Sequence, residues 1–185
     1  MSFVKSEPNT STAEPGFPYA DGDYLFHLMV AISRHRDDDL ERAVKPLGLN
    51  LSYYRAMGVI AHFAPCTMGE LADFSMVDRT TLTRTIDQLV TRGLVDRCQA
   101  KDDRRQVSLS LTEIGWSSYL MAQEVVRSRN EALLSRLPAQ HVKAMVRAQQ
   151  ALIGSWDLGK ELSHRLLTLT RGDGKPPRRT TAAND

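Results

Sequence analysis

Between Asp78 and Thr112 the hydrophobic repeat switches from that of a helix to that of a strand. DRTTLTRTIDQLVTRG places Leu82, Ile86 and Leu89 on one face at spacings of four and three, as an amphipathic helix does. LVDRCQ follows as a short strand and AKDDRR as a charged tip. QVSLSLT then alternates Val107, Leu109 and Leu111 with Gln106, Ser108 and Ser110, the period of a half-buried strand. A helix running straight into a basic-tipped β-hairpin is the outline of a winged helix-turn-helix. That fold lays one helix in the DNA major groove and a hairpin beside it. The expected fold class is therefore mainly α with a small β-hairpin wing.

The flanking sequence supplies the rest of such a domain. Asp21 or Asp23 suits the start of a first helix, along which Leu25, Leu28, Met29, Ile32, Leu40 and Val44 recur at helical spacing until Pro46 and Gly48 end it. Asn50 or Ser52 can cap a second helix that carries Met57, Val59 and Ile60 to about Phe63. After Pro65, Thr67-Met68-Gly69-Glu70 is a capping box opening a short helix with Leu71 and Ala72. Ser75 to Val77 is a tight connection, and Asp78 an N-cap for the next helix, which completes helix-turn-helix geometry. Beyond the hairpin, one helix begins at Thr112 or Glu113 and carries Leu120, Val125, Leu133 and Leu134. A second begins at Pro138 and carries Val142, Met145, Leu152, Ile153 and Trp156.

Four segments follow from this reading. Residues 1–20, with Pro8, Pro15 and Pro18 among polar residues, form a flexible arm, and 171–185 a disordered tail. Residues 21–50 and 113–170 form a helical region around a winged helix-turn-helix at 51–112. Net charge is only +2, so charge alone demands no polyanionic partner, and a DNA argument rests on where charge sits. No apolar run is long enough to span a bilayer, and the polar N-terminus reads as a leader without a secretion signal. Cys66 and Cys98 make no metal-type cluster, and a reducing cytoplasm is the simplest compartment.

On the Asp78 helix, the face opposite the leucines carries Thr80 and Arg84, flanked by Thr81 and Gln88. Arg79 lies at the N-terminal end, where such a helix meets base edges and phosphate. Arginine grips guanine through two hydrogen bonds, and threonine meets a phosphate or the thymine methyl. Taken alone, this face favours the reading of an ordinary solvated helix, since such faces are common. The tip Lys101-Asp102-Asp103-Arg104-Arg105 shifts the balance, because a wing-tip arginine can enter the negative minor groove. Asp103 could hold Arg104 or Arg105 extended through a carboxylate–guanidinium bond.

DDRRQVSLSLTEIG resembles the wing of the MarR family of bacterial transcriptional regulators. Asp103, Arg104, Arg105, Leu109, Leu111, Thr112 and Gly115 fall in register with that family's D-x-R…L-x-L-T-x-x-G pattern. TLTRTIDQLVTRGLVDR resembles its recognition helix, and MGELA and YYRAMGVI stand in the expected order upstream. The resemblance implies an obligate homodimer, with 21–50 and 113–170 as its helical dimerisation region, that reads a pseudo-palindromic duplex operator with half-sites about one helical turn apart. It also implies a minor-groove role for Arg105, an orienting role for Asp103 and groove-facing positions for Thr80, Thr81 and Arg84.

The same resemblance implies a small aromatic or amphipathic acid as effector, bound between the dimerisation helices and the DNA-binding lobe. Candidates for that site are His27, Arg34, His35, Tyr53, Tyr54, Arg55 and His62, of which His27, Arg34, Tyr53 and His62 are carried forward. Against them stand a solvated charge run at Arg34 to Asp39 and packing roles for Tyr53 and Tyr54. A redox switch at Cys66 is the alternative, since a helix start can lower a thiol pKa, although a loop thiol is the plainer reading. The hydroperoxide-sensing branch of the family carries its cysteine near the first helix start, where this chain has none. Cys98 reads as a small packing residue. No metal, cofactor or catalytic site is expected: the histidines lack ligand spacing, and no nucleophile elbow, HExxH or phosphate loop occurs. A winged helix that docks only on protein is the remaining competitor.

Overall fold

A computed structural model describes residues 21–75, 79–99 and 107–155. The chain falls into two compact units, residues 1–39 and 40–185, each described by itself. The first contains most of α1 (Asp21–Val44), whose Leu25, Phe26, Leu28, Val30 and Ile32 are all exposed. In the charge run, Arg36 and Asp37 approach to 3.7 Å, while Arg34 and His35 face solvent. The arm, the tail and Trp156 lie outside the described residues.

The second unit begins with the last turn of α1, where Leu40 and Val44 are buried. A single 3-10 turn, Lys45–Leu47, follows and closes on Gly48 at φ 73. Here left-handed backbone favours glycine. Asn50, not Ser52, caps α2 (Leu51–Phe63): its side chain accepts the Tyr53 N–H at 2.7 Å. Glu41 reaches across from α1 to accept the Leu51 N–H, also at 2.7 Å, so two of the helix's free amides are satisfied. The capping box at α3 (Met68–Ser75) forms as read, with Thr67 Oγ1 accepting from Glu70 N and Glu70 Oε2 accepting from Thr67 N.

α4 (Arg79–Thr91) ends in a Schellman motif, with Gly93 N–H on the Val90 carbonyl and Leu94 N–H on that of Leu89. Gly93 at φ 66 turns the chain into β2 (Val95–Gln99), which pairs antiparallel with β3 (Val107–Leu111). Val95 opposes Leu111 and Gln99 opposes Val107, the pairing of a hairpin. Leu109 and Leu111 are buried as their alternation requires, while Val107 at the far end is exposed. The sequence pattern shows only two strands. The sheet has three, in the order β1-β3-β2, because Cys66–Thr67 (β1) pairs with Leu109 and Ser108.

The sheet corrects the expectations for both cysteines. Cys66 is not a loop thiol: it is 1% exposed, opposite Leu109. Burial, assisted by the nearby Glu70 carboxylate, pushes its thiol pKa up to about 11, the reverse of what the helix start alone would do. A switch needs thiolate character and access, and Cys66 has neither, so the redox alternative loses its residue. Cys98, expected to pack, is exposed on β2.

α5 (Glu113–Leu134) starts at Thr112, whose hydroxyl accepts the Gly115 N–H at 2.9 Å and donates to the Gly93 carbonyl at 2.7 Å. Gly115 is there because nothing larger fits. A Cβ at this position would stand 1.9 Å from the Leu94 carbonyl oxygen. The face of α5 that joins the core is Tyr119, Ala122 and Val126, and Tyr119 stacks on Tyr54 of α2 at 5.7 Å. Burial first, then the neighbouring Tyr54, raises the Tyr119 pKa. Leu120, Leu133 and Leu134, read as this helix's apolar stripe, are exposed instead, with Val125 half-buried. α6 (Ala139–Ser155) buries no residue at all, and its Met145 and Val146 are exposed.

Gly115→Ala should lower unfolding stability by about 3 kcal/mol or more, because backbone stands where the methyl must go. Gly154→Ala, with nothing within 4 Å, should leave it unchanged or slightly raised, and urea titration of both separates the two cases. Iodoacetamide should label Cys98 in the native protein and Cys66 only after unfolding, read by peptide mass spectrometry; equal native labelling would contradict the burial.

Candidate nucleic-acid interface

The core side of α4 is apolar and closed. Leu82, Ile86 and Leu89 have no exposed surface, and Thr85 beside them is 4% exposed. Each buried leucine or isoleucine stabilises the helix's seat by about 2 kcal/mol. The opposite side shows Thr80, Thr81, Thr83, Arg84, Asp87 and Gln88 to solvent. Thr80, Arg84 and Gln88 are four residues apart, so they form one ridge along the axis. The rigid seat holds this polar ridge at a fixed orientation.

Two contacts on that surface have no signal in the sequence. Arg97 of β2 donates to the Asp87 carboxylate at 2.5 Å, tying the strand to α4 and offsetting the one acidic group of its exposed face. Both side chains are well exposed, so the pair matters for charge placement more than for stability. Gln88 accepts the Tyr53 hydroxyl at 2.5 Å, and the Arg92 guanidinium lies 5.3 Å from the Tyr53 ring centre. Gln88 thus belongs to the ridge and to a second cluster at the α2 end.

Of the other residues read for DNA contact, Arg79 is the first residue of α4. Its side chain, Asp103, Arg104, Arg105 and Asp78, the expected N-cap, lie outside the described residues. Two of the effector candidates lie on α2 and do not share a face. Tyr53 and His62 are nine residues apart on α2, about 14 Å along the axis and on opposite faces. The His62 Nδ1–H donates to the Gly58 carbonyl at 2.7 Å, which closes on its own helix. His27 and Arg34 are exposed residues of the first unit.

Two cavities flank α2. One, of about 580 Å³, lies between the Lys45–Asn50 corner and α4 and includes Tyr53, Gln88 and Arg92 in its lining. The other, of about 540 Å³, lies between Tyr54 and the exposed side of α5, with Leu120, Gln123 and Arg127 in its wall. There Arg127 bridges Glu124 and Glu131 at 2.6 and 2.9 Å and holds the Glu124 carboxyl below its usual range. Among the described residues no three His, Cys, Asp or Glu side chains gather where they would hold a metal ion.

A family model described as the MarR family matches residues 47–106. The HTH-type transcriptional repressor IacR of Pseudomonas putida is 22% identical over 135 residues, covering 69% of this chain and 81% of its own length. The crystal structure of wild-type MarR from E. coli in its apo form is 26% identical, with a TM-score of 0.62, over 69% of this chain and 96% of that one. A mutant of the E. coli protein in complex with operator DNA gives a TM-score of 0.66 at 24% identity, over 74% and 99%. A Mycobacterium tuberculosis MarR-family protein in complex with p-aminosalicylic acid gives 0.59 at 23%, over 69% and 97%. With the three-stranded winged fold and the Thr112–Gly115 junction in place, these likenesses agree: residues 47–106 match the MarR family, and the chain is similar in fold and sequence to its transcriptional regulators.

Proposed function

We propose that this chain is a sequence-specific double-stranded DNA-binding repressor, acting in the cytoplasm as a homodimer and released by a small aromatic or amphipathic acid. The observation that carries the reading is the Thr80–Arg84–Gln88 ridge, exposed on a helix whose other face is fully buried. Its residue types are those that reach base edges and phosphates in a major groove. Thr81 widens the ridge, and Arg79 lies at the helix end that enters the groove. Arg105, oriented by Asp103 and flanked by Arg104, is assigned to the minor groove beside it. The operator-bound E. coli mutant, which shares the fold, supports this docking.

Dimerisation is supported by the apolar side chains left uncovered on α1, α5 and α6, among them Phe26, Ile32, Leu133 and Met145. A lone soluble chain gains nothing by exposing them, whereas a second copy would bury them symmetrically. We assign residues 21–50 and 113–170 to that interface and 51–112 to DNA. An effector in the cavity beside Tyr54 and α5 would alter the spacing of the two reading helices, so both half-sites could no longer be engaged together. The p-aminosalicylic acid complex supports an acid of that kind. Tyr54, Gln123 and Arg127 are its candidate contacts there, whereas Tyr53 lines the other cavity.

Selection from a random duplex library should enrich an inverted repeat with half-sites about one helical turn apart. Arg84→Ala should bind the enriched duplex roughly 10- to 100-fold more weakly with an unchanged circular-dichroism spectrum. Arg105→Ala should weaken binding and flatten its salt dependence. Unaltered affinity in Arg84→Ala would remove the ridge from the reading. Failure to enrich any duplex, with a protein partner captured instead, would favour an interaction module. Sedimentation equilibrium should return twice the chain mass, and a monomer at micromolar concentration would count against the dimer.

A further inference from the structure

We propose that Tyr53 is a positioning residue for the reading helix: its hydroxyl fixes Gln88 with the amide oxygen turned inward and the amino group outward. Position 88 then meets DNA as a hydrogen-bond donor, where a free glutamine would pair with adenine through both ends. The inference rests on the DNA-binding reading of the α4 ridge. It adds a residue of α2, off that ridge, which sets what the ridge can read.

The Tyr53 hydroxyl stands at a defined point. The Tyr53 N–H is tied to the Asn50 side chain at 2.7 Å, and the Arg92 guanidinium lies 5.3 Å from the ring centre. Arg92 is itself anchored, its Nη1 donating to the Gly48 carbonyl at 2.8 Å. From this half-buried ring the hydroxyl donates to Gln88 Oε1 at 2.5 Å. The hydroxyl has no other task that a phenylalanine would leave undone. A phenyl ring would fill the same space and lie equally well against Arg92. One neutral hydrogen bond at an exposed position also stabilises folding little. Its effect therefore falls on what Gln88 presents.

Glutamine is among the costlier side chains to order, and an exposed one that is ordered before binding loses less on binding. Its carboxamide has one acceptor oxygen and one amino donor. Adenine uses both, its N6 amino group donating to the oxygen and its N7 accepting from the amino group. With Oε1 already accepting from Tyr53, the end left to offer is the amino group. Its fit is an acceptor: the guanine or thymine edge, or a phosphate oxygen. The neighbouring Asp87 carboxylate, which could draw that amino group back, is engaged by Arg97. Gln88 stands about 12 Å along the axis from Thr80, the third step of the ridge.

Two measurements on the full chain test this. Without DNA, ¹⁵N relaxation of the Gln88 side-chain amide should show an ordered group, and a mobile one in Tyr53→Phe, with Gln140, exposed on α6, as the mobile reference. A Gln88 amide as mobile as that of Gln140 overturns the inference whatever DNA does. On the selected duplex, Tyr53→Phe should bind roughly three- to tenfold more weakly. That loss should vanish in a Gln88→Ala background, because the hydroxyl acts only through Gln88. If the acceptor is a base edge, reselection with Tyr53→Phe gains adenine at one position of each half-site. If it is a phosphate, affinity falls alike on every sequence. Equal losses in both backgrounds would give Tyr53 a packing role and overturn the assignment, as would affinity indifferent to Tyr53→Phe. An ordered amide in a protein that enriches no duplex would remove the DNA-binding reading, and this inference with it.

Discussion

Gly115 approaches the Leu94 carbonyl so closely that a single methyl group would stand 1.9 Å from it, and the rest of the domain is arranged around that approach. Thr112 completes the junction. Its N–H donates to Leu94, its hydroxyl donates to Gly93, and the same hydroxyl accepts the Gly115 N–H. Three elements therefore meet within a few residues: the C-terminus of α4, the start of β2 and the first turn of α5. The hydrogen bonds fix direction and the missing Cβ fixes distance. The helix that presents the polar ridge is thereby coupled to the long helix whose far half stands uncovered.

A device of this kind suits a regulator in which motion of one element has to reach another. Coupling needs a contact with little slack, since close-packed interiors transmit displacement where loose ones absorb it. The second such contact lies near the same end of α4, on its α2 side, where Tyr53 holds Gln88 and Arg92 holds Gly48. The third is the Asp87–Arg97 pair, which joins α4 to the wing strand. Together they secure the helix at its C-terminal half. Its N-terminal half, with Thr80, Thr81 and Arg84, is presented to solvent.

Much of this was legible in the sequence because helix starts, turns and strand alternation are local chemistry. Asn50, the Thr67–Glu70 box and Thr112 cap helices through side chains three residues from their partners. The leucine face of α4 followed from period alone. What escaped notice is non-local. β1 is two residues long, too short for any alternation, and exists only because Leu109 lies beside it. The burial of Cys66 follows from that pairing and was misread with it. Tyr53 meets Gln88 across 35 positions, with no pattern linking them. On α5 the sequence shows apolar residues on more than one face. Periodicity marked Leu120 and Leu133, yet the chain's own core took Tyr119, Ala122 and Val126. Spacing can identify an apolar face, but not whether the chain itself covers it.

The central claim is that two copies of the α4 ridge enter duplex DNA together. Hydroxyl-radical footprinting of the full chain on its selected duplex tests this most directly. Two protected stretches on one face of the duplex, about one helical turn apart and lost together on dilution below the dimerisation range, are the expected result. A single protected stretch, or none at concentrations where the protein is dimeric, would contradict it.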